Sequence, residues 1–219
     1  ILFAFSGTSR KRMRAEGLLA LKRLGYEGKG DVTVISDGED CLKRLKSALP
    51  QPATHILDWF HIAMKLRPIE QTAGWLARRL PPNEREELLE DIAAVRWRLW
   101  NGQTDRAIDL IGRLFQDLKA DEQGSSAIAP LRGGLLNLRI YIEQNRGSIT
   151  NYGARYREGR RIASTAAEAN VNNLVARRMV KKQQMRWSVR GANLLLQVRV
   201  ALANGDLAER LAYRPPVRP

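Results

Sequence analysis

Three acids stand where phosphodiester chemistry could use them. Asp37 closes the apolar run Val34-Ile-Ser-Asp37-Gly, Asp58 closes Ile56-Leu-Asp58-Trp-Phe-His61, and Glu168 lies among small residues in Ser164-Thr-Ala-Ala-Glu168-Ala-Asn-Val171. An ionised carboxylate at the end of a buried strand costs on the order of several kcal/mol to desolvate unless a cation or hydrogen-bond donors meet it. Two-metal cleavage or transfer of a phosphodiester needs several carboxylates around ions about 3.5–4 Å apart, one ion activating the nucleophile and the other the leaving oxygen. Scattered acids meet that need only if the fold collects them.

Each acid also has a plainer reading. Asp-Gly after a strand is a turn device, and an acid near arginines makes an ion pair. Asp58 and His61 share a face only if the chain has already turned into helix; along a strand they point oppositely. A histidine beside an apolar run also serves as a hydrogen-bonded core residue. His55 and His61 are the only histidines, which argues against a His-based metal cluster. Glu168 has Val171, Val175 and Met179 as its i+3, i+7 and i+11 companions, so on a helix it lies on or beside an apolar, sheet-facing side. Its rivals are Glu143, at the end of a predicted helix, and Glu158, among arginines.

The elements that must position these groups alternate at first. Residues 1–5 read as a strand, and Ser9 can cap a helix that Gly25 ends. Residues 32–36 form a strand apolar almost throughout, as one covered on both faces would be. Leu42, Leu45 and Leu49 then stripe a helix closed by Pro50 and Pro52, and residues 54–62 read as the next strand. Strands alternating with helices predict an α/β layer arrangement with parallel pairing. From residue 65 to 146 the pattern is helical: Asn83 with Glu86 reads as a capping box, and Thr104 as the cap of a helix carrying Ala107, Ile108, Ile111, Leu114, Phe115 and Leu118. Leu131, Leu135, Leu138 and Ile142 stripe another helix beyond the Gly-Ser-Ser loop at 124–126. This reads as an all-helical insertion.

At 219 residues the chain can bury a real core, and its net charge of +14 concentrates polyanions such as nucleic acid at its surface. Between Arg155 and Arg199 there are eleven Lys or Arg against Glu158 and Glu168, so the basic surface is local. Arg177 and Lys181 share one helix face, Arg178 and Lys182 lie about 100° round from them, and the four suit a phosphate backbone or simply a solvated face. A single cysteine, Cys41, forbids an intramolecular disulfide and excludes Cys-rich zinc sites. No apolar run approaches the roughly 20 residues of a membrane span. A cytoplasmic protein, nucleoid-associated when acting, is the expectation. The first residue is Ile, inside a predicted strand, which suggests that something precedes it.

Three blocks carry a resemblance: Ile35-Ser-Asp37-Gly-Glu; Ile56-Leu-Asp58-Trp-Phe-His61-Ile-Ala-Met-Lys-Leu66; and residues 164–199, with Glu168-Ala-Asn-Val-Asn-Asn, Arg177-Arg-Met-Val-Lys-Lys, Met185-Arg-Trp-Ser-Val-Arg-Gly-Ala192 and Leu194-Leu-Leu-Gln-Val-Arg199. The chain resembles the catalytic domain of a bacterial insertion-sequence transposase of the Kra-type group, similar to Mutator-like transposases. The resemblance covers most of the chain, and its last block is the most specific. It implies an RNase H-like fold with an Asp, Asp, Glu active site and a helical insertion before the Glu. Asp37 is then the second acid and Glu168 the third, both metal ligands, with Asp58 and His61 a supporting Asp-x-x-His signature. The first Asp has no counterpart in residues 1–30, whose only acids are Glu16 and Glu27; it is expected upstream, leaving this fragment inactive alone.

The expected architecture is therefore α/β, an RNase H-like core begun by residues 1–64, interrupted by a helical insertion at 65–146, resumed at 147–207 with the Glu168 helix and a basic helical tail, and followed by an extended tail at 208–219. The expected activity is DNA transposition: metal-dependent hydrolysis at transposon ends, then strand transfer into target DNA. Mg²⁺ (or Mn²⁺) is the expected ion, DNA the partner, and Arg177, Arg178, Lys181, Lys182, Arg186 and Arg190 its contacts on a homo-oligomer. The rivals are an RNase H-like nuclease or resolvase and a non-catalytic DNA-binding remnant.

Overall fold

The computed structural model describes residues 10–38, 53–120, 128–165 and 187–212. The chain divides into two compact units, one of Thr33–Lys43 and Thr54–Ser164, the other of Ile1–Val32, Arg44–Ala53 and Thr165–Pro219. The expected strand at 1–5, the helix striped by Leu42, Leu45 and Leu49, the loop at 124–126 and the Glu168 helix lie outside the described residues.

In the first unit, β1 (Thr33–Ser36) and β2 (Thr54–Leu57) pair in parallel, from Thr33 opposite Thr54 to Ser36 opposite Leu57. The expected strand at 54–62 is shorter than its apolar run. Asp58 takes extended angles (φ −66°, ψ 119°) and its side chain accepts from the Phe60 N–H, so it caps a helix, α2 (Trp59–Ala77), immediately after Leu57. Helix thus begins at Trp59 and passes residue 65 without a break.

Next come α3 (Pro82–Trp100), α4 (Thr104–Ala120) and α5 (Ile128–Gln144), then a 3-10 turn (Arg146–Ser148) and the short α6 (Tyr152–Arg157). The expected capping box of Asn83 and Glu86 does not form. Pro81 precedes α3 without a side-chain cap, and Pro82 opens it with a fixed φ and no N–H to satisfy, which leaves Asn83 inside the first turn. Thr104 is likewise already helical, one position inside the place expected of a cap.

The four long helices close a ring, α2 on α3, α3 on α4, α4 on α5 and α5 on α2. Each turns one apolar stripe inward: Ile62, Leu66, Ile69 and Ala73; Leu88, Ile92, Val95 and Leu99; Ala107, Ile111, Leu114 and Leu118; Leu131, Leu135, Leu138 and Ile142. Full burial of each large side chain contributes about 1.5–3 kcal/mol, which lets helices of ordinary propensity hold together. A two-pronged pair, Arg96 Nε and Nη2 to Glu70 at 2.5 and 3.0 Å, ties α2 to α3. Leu57 and Tyr152 belong to the same core, so the strands and the ring share one interior.

The second unit shows α1 (Arg10–Arg23), α7 (Val189–Asn204) and α8 (Leu207–Ala212). Ser188 caps α7 through the Gly191 N–H at 3.0 Å. Residues 207–212 are helical rather than extended, because Asp206 offers the first turn an acceptor, its carbonyl taking the Arg210 N–H, while its carboxylate pairs with Arg210 at 2.8 Å. Arg23 of α1 reaches the same carboxylate at 3.2 Å. These bonds, that from Arg210 first, hold the Asp206 carboxyl below its ordinary range. No described helix is long and apolar enough to cross a membrane.

Candidate functional site

Because Ser36 and Leu57 are register partners, the next residue of each strand, Asp37 and Asp58, leaves the carboxyl end of the parallel pair beside the other. The Asp58 N–H donates to the Ser36 carbonyl at 2.8 Å, extending the ladder by one bond. Crevices at the carboxyl ends of parallel strands are where open α/β sheets place their ligands.

Gly38 allows the chain to turn away there. Its φ is +95°, and a Cβ would stand 2.9 Å from Asn145 Cγ and 3.0 Å from Leu57 Cδ1, so both the backbone and the space call for glycine. The Asp-Gly pair is therefore a turn that leaves Asp37 half-buried at the strand end.

Asp58 is fully buried, and donors both near and far along the chain meet it. Oδ1 accepts from the Phe60 N–H at 2.8 Å, Oδ2 accepts from the Ser164 N–H at 3.0 Å and from the Ser164 hydroxyl, and His61 Nδ1 lies 3.5 Å from Oδ2. One carboxylate thus joins the end of β2, the start of α2 and the chain that returns at Ser164. The helical turn after Leu57 is what brings Asp58 and His61 to one side. His61 is about a third exposed, its ring meeting Phe60 edge-on.

Two tyrosines brace the strand ends. The Tyr141 hydroxyl of α5 donates to the Asp37 carbonyl at 2.8 Å, and Lys65 of α2 sets its ammonium 4.4 Å from the same ring. The Tyr152 hydroxyl donates to the Leu57 carbonyl at 2.9 Å from a ring with no exposure. Burial pushes both phenols well above the usual tyrosine value; the charges of Asp37 and Asp58 add to it for Tyr141, and Tyr141 and Asp58 for Tyr152. Both therefore act as neutral donors. The two aspartates, moreover, lie within electrostatic reach of one hydroxyl.

His55 takes the core role. Its Nε2 meets Ser36 Oγ at 2.8 Å and its Nδ1 meets Ser148 Oγ at 2.7 Å, which fixes β1, β2 and the 3-10 turn together. Asn145 donates through Nδ2 to the Tyr141 carbonyl at 2.9 Å. Neither rival late acid enters this cluster: Glu143 is exposed and paired with Arg139 at 2.8 Å, Glu158 exposed and paired with Arg160 at 3.0 Å.

The structure brings together Asp37, Asp58 and His61, and adds Tyr141, Tyr152, Lys65 and Ser164. Glu168, Arg177, Arg178, Lys181, Lys182 and Arg186 lie outside the described residues, whereas Arg190 is exposed in the first turn of α7. Both aspartates carry oxygens of the kind Mg²⁺ takes; those of Asp58 accept from Phe60 and Ser164. Among the described residues no three of His, Cys, Asp and Glu stand close enough to hold an ion. A metal at Asp37 therefore requires a further carboxylate. Among the residues the site adds, Tyr141 has a local signal of partial burial though not of its partner: it sits one position from Ile142 in the α5 stripe, an aromatic with a polar tip on the flank of an apolar face. No protein-family model, curated protein or solved structure matches the chain.

Proposed function

We propose that the chain is the core of a DDE-type DNA transposase with an RNase H-like fold, in which Asp37 and Glu168 hold Mg²⁺ (or Mn²⁺) and Asp58 and His61 support them. The observation that carries the reading is the emergence of Asp37 and Asp58 side by side from paired parallel strands, in a chain of net charge +14. Asp37 is the strand-end acid assigned to the metal, and Asp58 the acid whose oxygens organise backbone at Phe60 and Ser164. Bound metal would activate the attacking water or 3′-hydroxyl, and reactions of this kind depend on positioning and charge rather than on a side-chain nucleophile. The protein's own contribution is rigidity: Tyr141 holds the Asp37 carbonyl, and Asp58 fixes Ser164, four residues before Glu168.

The exposed basic residues, Arg190 among them, suit DNA on an oligomer of this chain. One feature favours the DNA-binding remnant as a second reading: the donors that fill Asp58 make a strand end stable without a metal. Strand-transfer and nicking assays with Mg²⁺ on the gene product carrying this chain separate the readings. Asp37→Asn and Glu168→Gln should each abolish products while DNA binding persists. Hydrolysis without strand transfer would favour the nuclease or resolvase, and binding without products the remnant. Products unaffected by both substitutions would refute the assignment.

A further inference from the structure

The turn that follows α6 carries a charged and aromatic surface that the acids do not use. Tyr156 is 66% exposed, yet its ring has a firm support: it lies 6.0 Å from Trp100, which in turn contacts Trp59 at 4.9 Å and Tyr152 at 6.5 Å between ring centroids. A large aromatic held rigidly at the surface with its outer side open has already lost the freedom that binding would otherwise remove.

Arginines surround it. Gly159, at φ +69°, reverses the chain so that Arg160 N–H returns to the Arg155 carbonyl at 2.9 Å, placing residues on both sides of the turn together. Arg160 is paired with Glu158, whereas Arg157 and Arg161 are exposed with no carboxylate partner among the described residues. Arg155 turns one guanidinium nitrogen to the Arg161 carbonyl at 3.4 Å and keeps its buried Nε without an acceptor. Four arginines face one acid here, an arrangement that suits a partner carrying several negative charges.

The patch also sits close to the strand ends. The residue after Arg161 is Ile162, whose carbonyl accepts the Trp59 N–H at 3.0 Å, and two residues later Ser164 is held by Asp58. Three residues of chain span at most about 11 Å. A phosphate held at Arg161 would therefore put its neighbours along a strand within reach of the carboxylates.

We propose that Tyr156, Arg157 and Arg161 form a contact site for single-stranded nucleic acid, the tyrosine stacking on a base and the arginines holding the flanking phosphates. An aromatic face among guanidinium groups is the combination that binds unpaired strands with little regard to sequence, since every base has a π-face and every nucleotide a phosphate. The site rests on the nucleic-acid reading above and adds to it a place for an unpaired strand beside the acids.

Fluorescence anisotropy of a labelled oligothymidylate of about 16 nucleotides, titrated with the whole chain, tests it. Tyr156→Ala should weaken binding roughly tenfold and Tyr156→Phe should leave it near wild type. Arg157→Gln with Arg161→Gln should reduce the log–log salt slope by about 1.4, at roughly 0.7 per phosphate contact. An abasic oligonucleotide of equal length should be indifferent to Tyr156. All three side chains are exposed, and unchanged thermal melting would show that the variants fold. If the wild-type chain binds DNA but Tyr156→Ala binds the oligothymidylate equally well, the stacking site is wrong and the DNA reading survives. If the patch variants instead weaken binding of an acidic polypeptide alone, the ligand class is wrong. If the wild-type chain binds no DNA of any form, both readings fall.

Discussion

The helical ring buries Leu, Ile and Val, while the strand ends bury Ser36, His55 and Asp58 against Asn145 and Tyr152. Both regions exclude water, but dispersion and hydrophobic burial have no direction, and hydrogen bonds to a carboxylate do. A ring helix can slide by a few tenths of an ångström and keep its contacts. Asp58 cannot: moving Oδ2 away from Ser164 strands a buried negative charge. The ring is thus a tolerant frame, and the strand ends are the place where the geometry is fixed atom by atom.

Near-isosteric substitutions should expose that contrast most strongly. Asp58→Asn removes the charge and turns an amide nitrogen toward a backbone N–H that has no other acceptor, at either Phe60 or Ser164, so it should cost about 3 kcal/mol. Leu135→Met keeps volume in the ring and should cost less than about 1.5 kcal/mol. Urea midpoints followed by tryptophan fluorescence, with Trp59 and Trp100 as reporters in the first unit, measure both. A larger loss for the leucine would break the comparison.

Gly38→Ala comes next. It combines a positive φ with a Cβ at 3.0 Å or less from Leu57 and Asn145, and about 2 kcal/mol is the expected loss. Hydrogen exchange at residues 36–38 should rise more than exchange in α3. Uniform loosening of the ring instead would show that the turn and the frame are one cooperative piece.

Tyr152→Phe and Tyr141→Phe each remove one hydroxyl donor and should cost about 1 kcal/mol at neutral pH. Their alkaline behaviour is more telling. Both phenols titrate higher in the fold than the ordinary value of about 10. Below that value folded and unfolded chains both keep the protons, so the full contribution is present. Above it only the unfolded chain releases them, and stability falls as pH rises. The double Phe variant should therefore lose less stability than wild type between about pH 9 and 11. An identical alkaline slope would mean that the hydroxyls are not held as neutral donors.

How far the sequence reveals these two regions follows from the same physics. The ring stripes were legible because period 3.6 repeats over many residues: Leu131, Leu135, Leu138 and Ile142 are all buried as their spacing predicts. Where β2 ends was not legible, because apolar residues stand on both sides of Asp58, Ile56 and Leu57 before it and Trp59, Phe60 and Ile62 after it, and only the capping bond to Phe60 shows that Asp58 has begun a helix. The parallel pairing was expected and is present. Tyr141 and Tyr152 reach the strand ends across 104 and 95 residues respectively, and no local pattern encodes such a meeting. Asp37 and Asp58 stood out as acids after apolar runs; that Asp58 meets donors from Phe60 and Ser164 while Asp37 ends a turn depends on Ser164 and Gly38, which short motifs do not connect.

The smallest expected effect is a control that sharpens the contrast between acids. Glu143 lies on α5 two residues from Tyr141, carries the same charge as Asp58, and pairs with Arg139 one turn away. Both members are more than two-fifths exposed, so water and salt screen the attraction, and the carboxylate has lost little solvation that a partner must restore. Glu143→Gln should cost about 0.3–0.5 kcal/mol, within the range of exposed i,i+4 pairs, and the difference should vanish in high salt. Because Glu143 is turned outward, DNA binding and any Mg²⁺-dependent chemistry should be unchanged. The Asp58→Asn loss, by contrast, should persist at high salt, since the Phe60 and Ser164 donors meet a fully buried carboxylate shielded from ions. If Glu143→Gln destabilised the chain as much as Asp58→Asn, burial would not be what separates the two acids, and the directional network at the strand ends would lose its claim to fix the site.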